Sequence, residues 1–145
     1  MLYGKRWASM LPESMRVSFS ASNGASLFLC GGSMPTDDIM VGLTSASTVI
    51  TSAKLATIMT TGMTFALMDT AAQPPLFEMN VPPTARSIAA VAAGTITWAV
   101  LSGSYCLWLF DVSLPNQGGS VQLDKTTVSV GTVVSLMGIS FSIWR

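Results

Sequence analysis

The fold depends on how residues 94–114, GTITWAVLSGSYCLWLFDVSL, are interpreted. They overlap an uncharged run of 24 residues, 87–110, which is long enough to cross a bilayer as a helix. The apolar residues, however, recur at every second position in two sets, separated by the turn-like segment LSGSY (101–105). The sets are Ile96, Trp98 and Val100, then Cys106, Trp108, Phe110, Val112 and Leu114. Because a period of two is typical of β-strands and continues past Asp111, the run predicts two strands of a hairpin or near-hairpin, not a membrane helix.

The rest of the C-terminal half follows the same pattern. The segment LPNQGG (114–119) has the composition of a turn, and beyond it Val121 and Leu123 alternate with polar residues. Near the C-terminus five apolar residues share one parity: Val133, Met137, Ile139, Phe141 and Ile143. Short strands separated by turns about every ten residues are typical of a sandwich or barrel. We therefore predict an all-β fold, an antiparallel β-sandwich that is jelly-roll-like, with little helix.

The first half of the chain is less regular. The sequence NGASLFLCGG (23–32) predicts a turn, a strand and a break, and residues 64–68 predict another short strand. The segment QPPLFEMNVPP (73–83) carries two Pro-Pro pairs. Because proline cannot donate to a sheet ladder, we predict an edge strand or an extended connection there. Residues 87–93, SIAAVAA, fit either a short helix or a strand.

Eight apolar side chains of the C-terminal strands are predicted to point mainly inward. They are Ile96, Trp98, Val100, Trp108, Phe110, Leu123, Ile139 and Phe141. The alternation places them on the apolar side of their strands.

The chain divides into an N-terminal arm, residues 1–16, and a single β-sandwich domain, residues 17–145. The arm begins MLYGKRWASMLPESM and has basic residues with no apolar core behind them, so it does not fit a secretory signal. From the large apolar residues of the arm we predict three that bind a partner: Tyr3, Trp7 and Leu11.

The composition excludes some classes of function. Half of the 145 residues are hydrophobic and 10% are charged, with seven basic and seven acidic residues. A neutral chain gives no electrostatic basis for nucleic-acid binding, which needs clustered Lys and Arg. Low charge also favours association, so we expect other protein or lipid to cover this chain.

The residues that usually carry catalysis are missing. There is no histidine, which excludes Ser-His and Cys-His nucleophile pairs. Cys30 and Cys106 are too few for a zinc site and are predicted to be buried thiols, although a disulfide between them stays open. The pair Asp37–Asp38 has no accompanying ligand spacing, so a solvated loop is the better interpretation. We expect no enzyme activity, no metal and no cofactor.

One stretch resembles a known group of proteins. Residues 92–143, AAGTITWAVLSGSYCLWLFDVSLPNQGGSVQLDKTTVSVGTVVSLMGISFSI, resemble the C-terminal half of small virion proteins of tailed bacteriophages. The shared layout is a strand ending near Leu101, a second strand before VSLPNQGGS, and a segment with Leu123–Asp124, Thr126–Thr127 and a turn at Gly131–Thr132. Upstream, NGASLFLCGGSMPTD (23–37) is similar to the NG…IYSG-x-x-P opening of those proteins.

The resemblance covers most of residues 22–143 and leaves out the arm and the closing IWR. Trp98 and Trp108 are larger than the residues of the family pattern. The resemblance implies a non-enzymatic structural protein in the virion, in several copies, as a head decoration or as a tail or head–tail component. Its partners would be its own copies and capsid, portal, adaptor or tail proteins, with no nucleic acid and no membrane.

Two other functions stay open. One is a small integral membrane protein, such as a lysis-associated protein, that uses residues 87–110 as a membrane span, with residues 128–144 as a second candidate span. The other is a carbohydrate-binding module at the tip of a fibre. Alternation and turn composition argue against the membrane spans.

Overall fold

The computed structural model describes residues 26–34, 50, 53–59, 64–69, 76–81, 83, 86–102 and 107–142, with backbone alone for residues 64–69, 76–80, 102, 107–108 and 141–142. The regular elements that lie wholly within these ranges are all β-strands, so the described part of the chain is all-β, as predicted. They are β1 (Ser26–Gly31), β2 (Lys54–Met59), β3 (Thr64–Asp69), β4 (Leu76–Asn80), β5 (Ser87–Ala89), β6 (Gly94–Ser102), β7 (Leu107–Ser113), β8 (Val121–Leu123), β9 (Thr127–Val128) and β10 (Val133–Ser142).

The strands form one strongly curved sheet. Its order is β2-β1-β6-β7-β8-β10-β4-β3, with β5 paired to β10 and β9 paired to β6. Just after β5, the N–H of Val91 donates to the carbonyl of Leu55 in β2 over 2.8 Å. Because β5 thereby links β10 back to β2, the strand at the start of the sheet, the curved sheet is nearly barrel-shaped. We call this curved sheet the wall. The β3–β4 hairpin continues from the C-terminal half of β10.

The uncharged run 87–110 contains strands and no helix in its described part. β5 and β6 lie within it, and β7 begins at Leu107. β6 and β7 pair antiparallel from Trp98–Asp111 to Ser102–Leu107, which confirms the predicted hairpin or near-hairpin. The sequence of the segment SIAAVAA predicts either a short helix or a strand. Its first three residues form strand β5, which pairs with β10.

Two groups of buried side chains hold the wall together. The main core lies inside it and includes Leu27, Leu29, Ile58, Ile96, Leu101, Phe110, Val121, Leu123, Val134, Leu136 and Ile139. A second cluster packs on the other surface of β1, β6 and β7 and consists of Cys30, Ile50, Trp98, Val100 and Leu109. These three strands are therefore buried on both faces.

Six of the eight residues predicted to point inward are buried, and the side chains of Trp108 and Phe141 lie outside the described residues. Ile96, Trp98, Val100, Phe110, Leu123 and Ile139 are all at most 2% exposed. They do not share one face, however. Ile96 belongs to the main core, whereas Trp98 and Val100 belong to the second cluster.

The change of face in β6 comes from a β-bulge. Cys30 of β1 pairs with Trp98, but Gly31 pairs with Ile96, so Thr97 has no opposite residue on β1. The hydroxyl of Thr97 instead donates to the carbonyl of Gly32. Because side chains alternate along a strand, one extra residue moves all later positions to the other face.

A second bulge corrects the parity predicted for the last strand. In β10 the pairing with β8 shifts between Leu136 and Gly138. Val133 and Met137 are consequently exposed by 50% and 56%, while Ile139 is 1% exposed. The predicted apolar set from Val133 to Ile143 is therefore wrong as a single face: Val134 and Leu136 point inward before the bulge.

Two further expectations need correction. The Pro-rich segment contains β4, which pairs with both β3 and β10 and is therefore neither an edge strand nor a bare connection. The proline pairs flank the strand, so they remove no ladder hydrogen bond from it. In addition, the sheet is not wholly antiparallel, because β7 and β8 pair in parallel at Val112–Val121 and Ser113–Gln122.

Candidate interaction surfaces

The residues predicted to bind a partner lie outside the described residues. Tyr3, Trp7 and Leu11 belong to the arm, and neither the arm nor the boundary at residue 17 falls in the described ranges. The same holds for the carboxylate pair Asp37–Asp38. The site that the sequence suggested therefore remains a prediction.

Cys30 is a buried free thiol. It is 0% exposed and forms no disulfide, so the Cys30–Cys106 bridge left open by the sequence does not form; the side chain of Cys106 lies outside the described residues. Burial raises the pKa of the Cys30 thiol to about 12, although the nearby charge of Lys54 acts in the opposite direction. Since the thiolate is the reactive form, Cys30 is a packing residue at neutral pH.

The carboxylate of Asp111 organises the turn between the parallel strands β7 and β8. It accepts a hydrogen bond from the N–H of Ser120 over 3.2 Å. Partial burial alone would raise the pKa of Asp111, but hydrogen bonds, including those from Ser120, outweigh it and lower the pKa below its ordinary value. Asp111 is therefore held as a carboxylate that anchors the chain where it returns to the sheet.

Ser113 completes the same turn. Its hydroxyl accepts a hydrogen bond from the N–H of Gly119 at 3.0 Å and donates to the carbonyl of Leu114 at 2.8 Å. Asn116 and Gly118 adopt positive φ angles of 64° and 86°, which Asn and Gly tolerate best. These polar groups are engaged with backbone, so we assign this corner a structural role.

No candidate metal centre is found in the described part of the chain, where no three His, Cys, Asp or Glu residues are grouped as ligands would be. Trp98 is an internal anchor. It is 1% exposed, and its indole N–H donates to the carbonyl of Gly31 at 2.9 Å. Trp98 is therefore a core residue, inaccessible to a ligand or partner.

One surface does present apolar side chains to solvent. β5 and β10 pair with Ser87 opposite Ser135 and Ala89 opposite Val133, and directly opposite residues share a face. We define the β5–β10 face as the outward residues Ser87, Ala89, Val91, Val133, Ser135 and Met137. Val91 is 64% exposed. Val130, in the adjoining turn, is 73% exposed.

Hydrogen bonds keep this face in place. The N–H of Ala90 donates to the carbonyl of Thr132, and the N–H of Gly131 donates to the carbonyl of Ala90, both over 2.8 Å. The hydroxyls of Ser87 and Ser135 lie 2.7 Å apart, and either can be the donor. The turn and the two strands thus form one continuous surface of defined geometry.

Sequence reasoning missed this face. The alternation groups Val133 and Met137 with Ile139 on one apolar side of the last strand because they share its parity, and nothing local reveals the intervening bulge. The signal that could have located it is Gly138, since glycine inside a strand often marks a bulge.

A scan against models of known protein families gave no match, and searches of curated proteins and of solved structures gave none either.

Among the described residues, no helix has both the length and the apolar character needed to cross a membrane.

Proposed function

We propose that this chain is a non-enzymatic structural protein of a bacteriophage particle and assembles on the virion in multiple copies. It would serve as a head decoration protein or as a tail or head–tail component. Its partners would be its own copies and neighbouring capsid, portal, adaptor or tail proteins, without nucleic acid or membrane. The proposal rests on the sequence resemblance and on the arrangement of strands described above.

The observation that carries the proposal is the agreement between strand positions and the layout of the resembling proteins. A strand beginning at Gly94 covers the expected end near Leu101, and a second strand follows it, although it continues two residues past its expected end, to Ser113. The expected small-residue turn falls between β9 and β10, where Gly131 has a positive φ of 87°. This agreement supports the resemblance at the level of element order.

The surface chemistry supports the same proposal. Uncharged strands with outward apolar residues suit permanent contacts, because the interfaces of obligate assemblies resemble a domain core cut in half. The β5–β10 face has this character. An enzyme would instead need convergent polar groups in a cleft.

We further propose that the complete domain is a jelly-roll-like β-sandwich. The second cluster supports this, because it covers the outer surface of β1, β6 and β7 with residues from before β2, such as Ile50. An experimental structure of the full chain tests this arrangement by showing whether two packed sheets or one closed wall contain the strands.

The functional proposal is tested by locating the protein. Particles are purified from a lysate and separated into heads and tails, and the chain is quantified in each fraction by mass spectrometry. We expect several copies per particle in one of the two fractions. Absence from purified particles, together with recovery in detergent-solubilised membrane, would contradict the proposal.

A further inference from the structure

We infer that the β5–β10 face is a contact surface for a second copy of this chain. The inference rests on the proposed function in that a virion protein present in many copies needs a self-contact. It goes further by naming the surface, its occupant and the residues that decide the contact. The face consists of Ser87, Ala89, Val91, Val133, Ser135 and Met137, with Val130 beside it.

The first argument is the exposure of apolar side chains in a rigid setting. Val91, Val130, Val133 and Met137 are each exposed by half or more. The ladder formed by Ala90, Gly131 and Thr132 fixes the backbone beneath them. Loss of conformational entropy is a main cost of association. A surface with a fixed backbone loses little of it when a partner covers the surface.

The second argument is charge. None of the six residues of the face is charged, and the charged residues next to it bond within their own chain. The guanidinium of Arg86 donates to the carbonyl of Val81 at 2.6 Å. The carboxylate of Asp124 accepts from the N–H of Ser135 at 2.8 Å and lies 3.7 Å from Lys125. A neutral face cannot select an oppositely charged partner, and it does not repel its own copy.

The third argument is the hydroxyl pair at its centre. A serine hydroxyl both donates and accepts a hydrogen bond. Ser87 and Ser135 of one copy can therefore hydrogen-bond to the same residues of another copy around a twofold axis. This property suits an isologous contact, in which one surface patch meets itself.

The size of the face sets the strength of the contact. Four such side chains present on the order of a few hundred Å² of apolar surface. A stable free-standing dimer usually buries about 800 Å² per partner. The contact is therefore weak between isolated chains and becomes stable only where the particle holds copies side by side.

The test is sedimentation velocity of the purified full-length chain over a concentration series up to the millimolar range. We expect reversible self-association of the unmodified chain. Val133→Glu and Met137→Glu should each weaken it by about tenfold or more, because either carboxylate would be buried without a partner. Met59→Glu is the matched control, since Met59 is 51% exposed but lies on β2, outside the face. It should leave association unchanged.

Circular dichroism verifies that each variant folds, and amide hydrogen exchange of the unmodified chain provides a measurement that needs no variants. Exchange at Ala90 and Val91 should slow as concentration rises. A chain that stays monomeric at all concentrations overturns the inference. Two other results also overturn it: self-association that neither Val133→Glu nor Met137→Glu weakens, and self-association that Met59→Glu weakens as much as they do. If the chain self-associates but is absent from virions, only the proposed function is contradicted. If it is present in virions but monomeric in solution, only this inference is contradicted.

Discussion

At the scale of single residues, the turn between β7 and β8 shows how closely one position can be constrained. A Cβ atom on Gly119 would lie 2.6 Å from the Ser113 hydroxyl and 2.7 Å from the Ser113 backbone nitrogen. Real Cβ atoms do not approach backbone so closely, so the turn must move to admit any side chain. The absence of a side chain at Gly119 is therefore part of the turn's structure.

We predict that Gly119→Ala destabilises the protein by about 1–3 kcal/mol, as other overpacking substitutions do. The measurement is urea-induced unfolding followed by circular dichroism. Gly138→Ala is the matched control, because a Cβ atom on Gly138 would have no neighbouring atom within 4 Å. Equal losses of stability for the two variants would show that the contact with Ser113 is unimportant.

Asp111 gives a prediction about pH. Because its pKa in the folded chain is lowered, the unfolded chain binds a proton more readily than the folded one. The stability that Asp111 contributes is thus fully present above the unfolded pKa of about 3.9 and is lost as the pH falls through the lower folded pKa. Asp111→Asn keeps the shape of the side chain and removes the titration.

The difference in unfolding free energy between the unmodified chain and Asp111→Asn should therefore shrink as the pH is lowered below about 4. Urea unfolding across a pH series measures it. A difference that stays constant over that range would mean that the hydrogen bonds to Asp111 do not depend on its charge.

At the scale of elements, β6 is the strand on which the rest of the sheet depends. It pairs with β1 along one edge and β7 along the other, and its first residues pair with β9. Its bulge directs Ile96 into the main core and Trp98 into the second cluster. Loss of one large side chain from β6 therefore affects packing on a whole face.

We predict that Trp98→Ala costs about 3–5 kcal/mol of stability, the range for truncating a buried Trp or Phe. Trp98→Phe should cost less, because it keeps an aromatic ring in the cluster. It still loses the hydrogen bond from the indole N–H to the carbonyl of Gly31. Thr95→Ala, at an exposed position of the same strand, should change stability by no more than about 0.5 kcal/mol. Chemical denaturation compares the three variants, and a Trp98→Ala protein as stable as Thr95→Ala would contradict the central role of β6.

At the scale of the whole molecule, the arm and the sheet have different expected roles. The described wall of strands contains its own core, to which β1 contributes Leu27 and Leu29. The arm carries apolar anchors in its first eleven residues. We therefore expect truncation to separate folding from the proposed attachment to the particle.

We predict that deletion of residues 1–11 leaves a folded domain that fails to enter particles. Trp7→Ala alone should weaken attachment by roughly 2 kcal/mol or more if Trp7 is a hot spot. Copy number in purified particles, with circular dichroism of the truncated protein, measures both parts. Normal incorporation of the truncated chain would assign attachment to the sheet or to the QPPLFEMNVPP segment instead.

The sequence by itself determined the class of the fold and much of its element order. Alternation with period two identified β6 and β7 within a run long enough for a membrane helix, and it placed Val121 and Leu123 inward on β8. These features are local, because a strand exposes alternate residues whatever it pairs with. The same local pattern also identified Ile96, Trp98 and Val100 as buried.

Only the tertiary structure decided which face each residue occupies and where the surface is apolar. The bulges at Thr97 and at Met137 shift the register by one residue, and each shift exchanges the two faces of a strand. The interior position of β4, the parallel contact of β8 and the β5–β10 face likewise depend on strands distant in sequence. Long-range pairing, which local alternation does not encode, selects among registers that have the same apolar pattern.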